Sequence, residues 1–154
     1  MRKITILLFV LFVYNMQAQT TFIGWGSTWK YLDNGTDQGT AWYGTSFNDA
    51  SWASGLAELG YGDGDEATTV SYGSNSSNKY ITTYFRKSFS VANPGQFSSL
   101  QLEFVSDDGI VLYVNGTEVH RDNMPGGTIT FQTLASGTIA WPNEDDVHTI
   151  TLSP

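Results

Sequence analysis

LQLEFVSDDGIVLYVNGTEVHR, residues Leu100 to Arg121, is the stretch that decides the fold. Leu100, Leu102 and Phe104 alternate with Gln101, Glu103 and Val105, the two-residue period of a half-buried strand. Asp107-Asp108-Gly109 breaks that run, because glycine accepts positive φ and Asp side chains bond their own turn backbone. Ile110 to Val114 is β-branched and aromatic, with Leu112 and Val114 on the face opposite Val111 and Tyr113. Asn115-Gly116 is the strongest short-range hairpin signal, since a type I′ turn needs positive φ at both central residues. Thr117 to Arg121 returns as the partner strand. The expectation is an antiparallel three-stranded meander.

Working outward, the N-terminus reads differently. Arg2 and Lys3 precede the apolar run Ile4 to Tyr14, and Asn15-Met16-Gln17-Ala18 supplies a polar region with a small residue at its end. Residues 1–18 are expected to be a secretory signal peptide. The apolar run falls short of the roughly 20 residues that span a bilayer, so no membrane insertion is expected. The protein is then secreted, extracellular or held at a cell surface. Residues 22–154 read as one β-sandwich module.

The whole chain carries 7 basic and 15 acidic residues, a formal charge of -8. Arg2 and Lys3 lie in the leader, so the remainder holds five basic residues and a formal charge of -10. Such a surface disfavours nucleic acid and anionic membranes, which need clustered Lys and Arg. There is no cysteine, so disulfide staples, thiolate metal sites and cysteine nucleophiles are excluded. Sixteen glycines with many Thr, Ser, Tyr and Trp favour an all-β class.

Strands are expected at Trp29–Leu32, Thr68–Tyr72, Tyr80–Phe89, Thr128–Leu134 and Val147–Leu152, with a short extended piece at Ile139–Trp141. Phe47-Asn48-Asp49-Ala50-Ser51-Trp52 reads as a compact turn with an Asn/Asp cap. Gly60 to Glu66 and Gly73 to Asn78 read as loops, and Asn143 to Asp146 as an acidic turn. Short strands at regular spacing imply an antiparallel sandwich or jelly roll.

Trp29-Lys30-Tyr31, Phe47 to Trp52, Leu59-Gly60-Tyr61-Gly62, Tyr84 to Phe89 and Asp107-Asp108-Gly109 through Asn115-Gly116 together resemble a galactose-binding-like jelly roll. The set is similar to the sugar-binding domain of family 2 glycoside hydrolases and to modules appended to large secreted Bacteroidetes proteins. That resemblance implies a further strand after Val147–Leu152, so the sheet is expected to lack its last strand or strands. It also implies a non-catalytic binding or accessory role with carbohydrate as ligand. The alternatives are a structural spacer or adhesion domain of a larger surface protein, or a non-catalytic fragment of a secreted glycoside hydrolase. Ser106 to Gly109 followed by Leu112 to Gly116 is similar, in second place, to the aspartate-pair motif of PA14 domains, whose lectin members hold calcium with that pair.

The candidate ligand-binding residues are Trp42, Tyr43, Tyr61, Arg86, Asp107 and Asp108, and the candidate calcium ligands are Asp63, Asp65, Glu66, Asp107 and Asp108. Adjacent or alternating carboxylates supply hard oxygen ligands to Ca²⁺. Against this, Asp107 and Asp108 also serve as turn caps before Gly109, and Asp63-Gly64-Asp65-Glu66 also reads as a solvated acidic loop. Trp42, Tyr43 and Tyr61 lie beside polar turns, where flat rings can stack on sugar C–H faces, whereas Trp29 and Trp52 are assigned to the core or its edge. Arg86 and Arg121 are expected in structural ion pairs. His120 and His148 share no ligand spacing, and no nucleophile elbow, phosphate loop or zinc-protease motif occurs, so no enzymatic activity is expected.

Overall fold

The computed structural model describes residues 19–62, 64–139 and 143–153. The proposed leader, Asp63 and Trp141 lie outside the described residues. The described chain is all-β, with nine strands and three short 3-10 turns. The strands are β1 (Thr28–Leu32), β2 (Ala53–Leu56), β3 (Leu59–Gly60), β4 (Thr68–Thr69), β5 (Tyr84–Arg86), β6 (Leu100–Phe104), β7 (Ile110–Val114), β8 (Thr117–Asp122) and β9 (His148–Leu152). None of the described helices is long and apolar enough to cross a membrane.

Hydrogen bonding divides these strands into four small sheets, β2-β1-β5, β3-β4, β6-β9 and β7-β8. All pairs are antiparallel except the two-residue β3-β4 pair, which is parallel. The β7-β8 hairpin turns through Asn115 at φ 50° and Gly116 at φ 86°, as the Asn-Gly signal requires. Between Leu112 and Tyr113 its register slips, so that Leu112 faces His120 and Tyr113 faces Glu118. The extra residue is Val119, a bulge that puts Glu118 and Arg121 on one face of β8 despite their odd spacing.

Four expectations are corrected. Thr68–Tyr72 is strand only at Thr68–Thr69. The Leu100–Arg121 meander is broken after its first strand, for β6 pairs with β9, Phe104 facing His148, rather than with β7. The link between β6 and β7 is tied elsewhere: Asp108 Oδ1 accepts the Ile139 N–H at 2.8 Å, and Asn123 Nδ2 donates to Asp108 O at 3.0 Å. Tyr80–Phe89 is strand only at Tyr84–Arg86, because Tyr80 N bonds Tyr72 O and the Thr82 hydroxyl bonds Phe131 O. Thr128–Leu134 forms a turn instead of a strand. Thr133 N bonds Thr130 O at 3.0 Å and the Thr133 hydroxyl takes the Thr130 N–H at 2.9 Å, local bonds that compete with a ladder.

Side chains rather than continuous ladders join the sheets. Gly55 on β2 lies so close to Thr68 of β4 that any Cβ there would collide with the threonine side chain. Trp52, Val70, Tyr84 and Phe104 are the buried apolar residues among those described, at 5, 4, 5 and 8% exposure. Trp52 and Tyr84 belong to one aromatic cluster with Phe47, Trp42, Tyr43 and Tyr113, which runs from the three-stranded sheet to the β7-β8 hairpin. Phe104 makes the second junction, with its ring 5.4 Å from His148 and 5.6 Å from His120, so it couples β6-β9 to β8. Phe104→Ala is expected to destabilise the fold by about 3–5 kcal/mol, measured by urea denaturation, because the ring fills the contact between two otherwise separate sheets. A loss under about 1 kcal/mol would place that contact outside the cooperative core.

Candidate functional site

The register of the three-stranded sheet builds the site. Lys30 faces Arg86 across β1-β5 and Ser54 across β1-β2. Directly opposed residues share a face, so Ser54, Lys30 and Arg86 form one row. Two cations side by side repel, and the turn before β2 brings in the compensating carboxylate. There Asn48 Oδ1 accepts the Ala50 N–H at 3.1 Å and Trp52 N bonds Asp49 O at 3.0 Å, an Asx-type turn. Asp49 Oδ2 thereby lies 2.8 Å from Arg86 Nε, with the two side chains 27 and 14% exposed. Arg86 Nη1 donates to Trp42 O and, at 3.2 Å, to Gly44 O, while its carbon lies 5.2 Å from the Phe47 ring centroid.

Above this row is an open pocket of about 340 Å³ to which Thr28, Lys30, Asp49, Ser54, Arg86 and Ser88 contribute. Trp29 and Lys87 also line it. Lys30 Nζ donates to Trp52 O at 3.2 Å, and Lys87 Nζ donates to Thr28 O at 2.8 Å. Residues carrying hydroxyls (Thr28, Ser54, Ser88), a carboxylate (Asp49) and cationic groups (Lys30, Arg86, Lys87) thus line one concave, open place. Chemically it can bind and orient a small polar ligand.

The other expected site residues are placed apart from this pocket. Trp42 and Tyr43 occupy the 3-10 turn Ala41–Tyr43 and pack inward, Tyr43 stacked on Tyr113 at 4.4 Å and Trp42 edge-on to Tyr84 at 4.9 Å. They hold the aromatic junction together. Tyr61 contacts Tyr72 edge-on at 5.0 Å and carries Lys79 Nζ 4.5 Å from its ring centroid. Asp107 is exposed, whereas Asp108 is tied to Ile139 as a turn brace. The Asp107–Asp108 peptide is cis. Glu66 accepts the Gly64 N–H at 3.2 Å through Oε2, and its buried Oε1 has no hydrogen-bond partner among the described residues. Asp65 is exposed, and Asp63 lies outside the described residues. Among the described residues no three His, Asp or Glu side chains cluster as a metal site.

Both arginines make the structural ion pairs expected of them. Arg121 grips Glu118 through Nε and Nη2 at 2.6 and 2.8 Å and donates to Pro125 O at 2.6 Å, clamping the loop after β8. The hydrogen bond from Arg121 holds the Glu118 carboxyl below its usual range, so that contribution is present above the unfolded carboxyl pKa and is lost as acid protonates Glu118. Lys30, Asp49 and Lys87 were missed by sequence reasoning. The available signal was scarcity, since three of the five basic residues beyond residue 18 lie in or next to two strands, Lys30 in β1 and Arg86-Lys87 at the end of β5. His120 and His148 converge on Phe104, which only the β6-β9 and β7-β8 registers could reveal. Comparison of the chain with protein-family models, curated proteins and solved structures finds no match.

Two outcomes are expected. Arg86→Met, which strips the partner from Asp49 and from two carbonyls at once, destabilises by about 2–4 kcal/mol in urea denaturation. Asp49→Asn costs less, because the carbonyl bonds survive; equal costs would mean that the two carbonyl contacts contribute nothing. Alkaline stability provides the second. Burial raises the phenol pKa of Tyr84, opposed by the Gln38 N–H and aided by Asp37. Burial likewise raises that of Tyr113, aided by Glu118 and Tyr43 and opposed by Arg121. A raised phenol pKa stabilises the fold fully below the unfolded value of about 10 and ceases to do so as pH climbs through the folded value. Denaturation midpoints should therefore fall above about pH 10 as tyrosinate absorbance appears, and a midpoint independent of pH there would contradict the burial of both rings.

Proposed function

We propose that the chain is a secreted, non-catalytic binding module of jelly-roll type whose ligand is a carbohydrate. The observation that supports this is the pocket on the β2-β1-β5 face, where Thr28, Ser54 and Ser88 lie with Asp49, Lys30 and Arg86. Sugar hydroxyls are at once donors and acceptors, and this mixture of hydroxyl, carboxylate and cationic groups answers both. Its volume of about 340 Å³ is near the lower end of the roughly 300–1,000 Å³ typical of ligand pockets, which suits one or two sugar units. In this reading the protein holds its ligand without transforming it and acts as an accessory to a larger secreted or surface protein.

A spacer or adhesion domain is the second reading. It draws on the way Trp42, Tyr43 and Tyr61 are engaged with other side chains, which leaves fewer rings to stack on a sugar.

A glycan-array screen of the purified chain, with calcium and with chelator, separates these readings. The expected result is saturable binding that chelator does not affect and that Ser54→Tyr weakens at least tenfold, because the exposed Ser54 on edge strand β2 lines the pocket and a phenol ring there would fill it. Binding that chelator removes would relocate the site to the Asp107-Asp108 loop. A folded sample that binds no glycan would leave the spacer reading in its place.

A further inference from the structure

We infer that the pocket on the β2-β1-β5 face selects an anionic saccharide, one whose sugar carries a carboxylate or a sulfate ester. This rests on the carbohydrate reading of the same pocket and specifies its ligand. The argument begins with charge placement. Beyond residue 18 the chain has five basic residues against fifteen acidic ones, yet Lys30, Arg86 and Lys87 all line this one pocket. Asp49 is the single carboxylate among the lining residues. The pocket is thus a local positive excess of two charges on a strongly negative molecule.

The structure leaves that excess available to a ligand. Lys30 and Arg86 are direct cross-strand neighbours, a like-charge pairing that is unfavourable unless an anion lies nearby. Asp49 answers Arg86 Nε, but no described carboxylate pairs with Lys30 or Lys87. Each ammonium makes one hydrogen bond to a backbone carbonyl, Lys30 to Trp52 O and Lys87 to Thr28 O. An ammonium has three donors, so two remain on each lysine. Arg86 engages the protein through Nε and Nη1, and its Nη2 donors have no protein partner among the described residues. Cationic groups that line one pocket can bind carboxylate or sulfate oxygens through short, charge-assisted hydrogen bonds. The Thr28, Ser54 and Ser88 hydroxyls then serve the neutral part of the sugar. Two surplus charges fit one acid group on a short saccharide. A polyanion would meet the negative charge of the rest of the surface.

Calorimetric titration of the purified chain tests this with two matched pairs. One pair is a sulfated galactan oligosaccharide and its desulfated form; the other is an oligogalacturonide and its methyl ester. Within at least one pair, the charged member should bind about tenfold more tightly, the effect of a charge-assisted hydrogen bond, and the pair that shows it identifies the acid group. Lys87→Gln should abolish most of that preference while near-ultraviolet circular dichroism stays unchanged, and Lys30→Gln should do the same. Equal binding of charged and neutral members would overturn the charge selectivity and leave the carbohydrate reading standing. A preference that survives both lysine variants would overturn the assignment to this pocket. Absence of binding in all four titrations by a sample that binds neutral glycans on the array would overturn this inference alone, and absence of binding to any glycan would overturn the carbohydrate reading with it.

Discussion

Arg86 is the side chain around which the described structure is arranged. From the last position of a three-residue strand it pairs with Asp49, donates to the carbonyls of Trp42 and Gly44, and lies over Phe47. Those partners belong to two irregular segments that no ladder holds. One ends in Trp52, a buried core residue, and the other carries Trp42 and Tyr43, which reach the β7-β8 hairpin. A planar guanidinium with donors in a fixed fork suits this task, because it can bind a carboxylate and carbonyls at once without leaving a buried polar group unmet.

The same arrangement shapes the face of the three-stranded sheet. With four small sheets and few fully buried side chains, this protein depends on aromatic contacts between sheets more than on long ladders. Drawing Trp42, Tyr43, Tyr84 and Tyr113 into one junction takes flat rings away from solvent. Ser54 at the edge of the three-stranded sheet stays exposed, Lys30 is half-buried, and Arg86 is largely covered by its partners. The residues that line the pocket on that face are mostly polar or charged, with Trp29 beside them.

Local chemistry made several elements legible. Asn115-Gly116 demanded a turn with positive φ, Asn48 supplied an Asx bond two residues on, and the expected strands at Trp29–Leu32 and Val147–Leu152 became β1 and β9. All of these are decided within a few residues. Thr128–Leu134 has the composition of a strand, yet the Thr130 and Thr133 hydroxyls close a turn instead, and alternation alone carries no information about that competition. The pocket was only partly legible. Arg86 was singled out, whereas Lys30, Asp49 and Lys87 were not, because their meeting depends on which strands pair and in which register.

The sequence by itself determined the all-β class, the surplus of acid over base, the lack of thiol chemistry and the sites of the tightest turns. These follow from composition and from interactions between near neighbours along the chain. Tertiary structure decided that β6 pairs with β9 across more than forty intervening residues, that a bulge at Val119 brings Glu118 to Arg121, and that three scarce cations share one pocket. The reason is physical. Strand partners and shared faces are chosen by long-range packing and hydrogen bonding, and a sequence pattern with a period of two is the same whichever partner it finds.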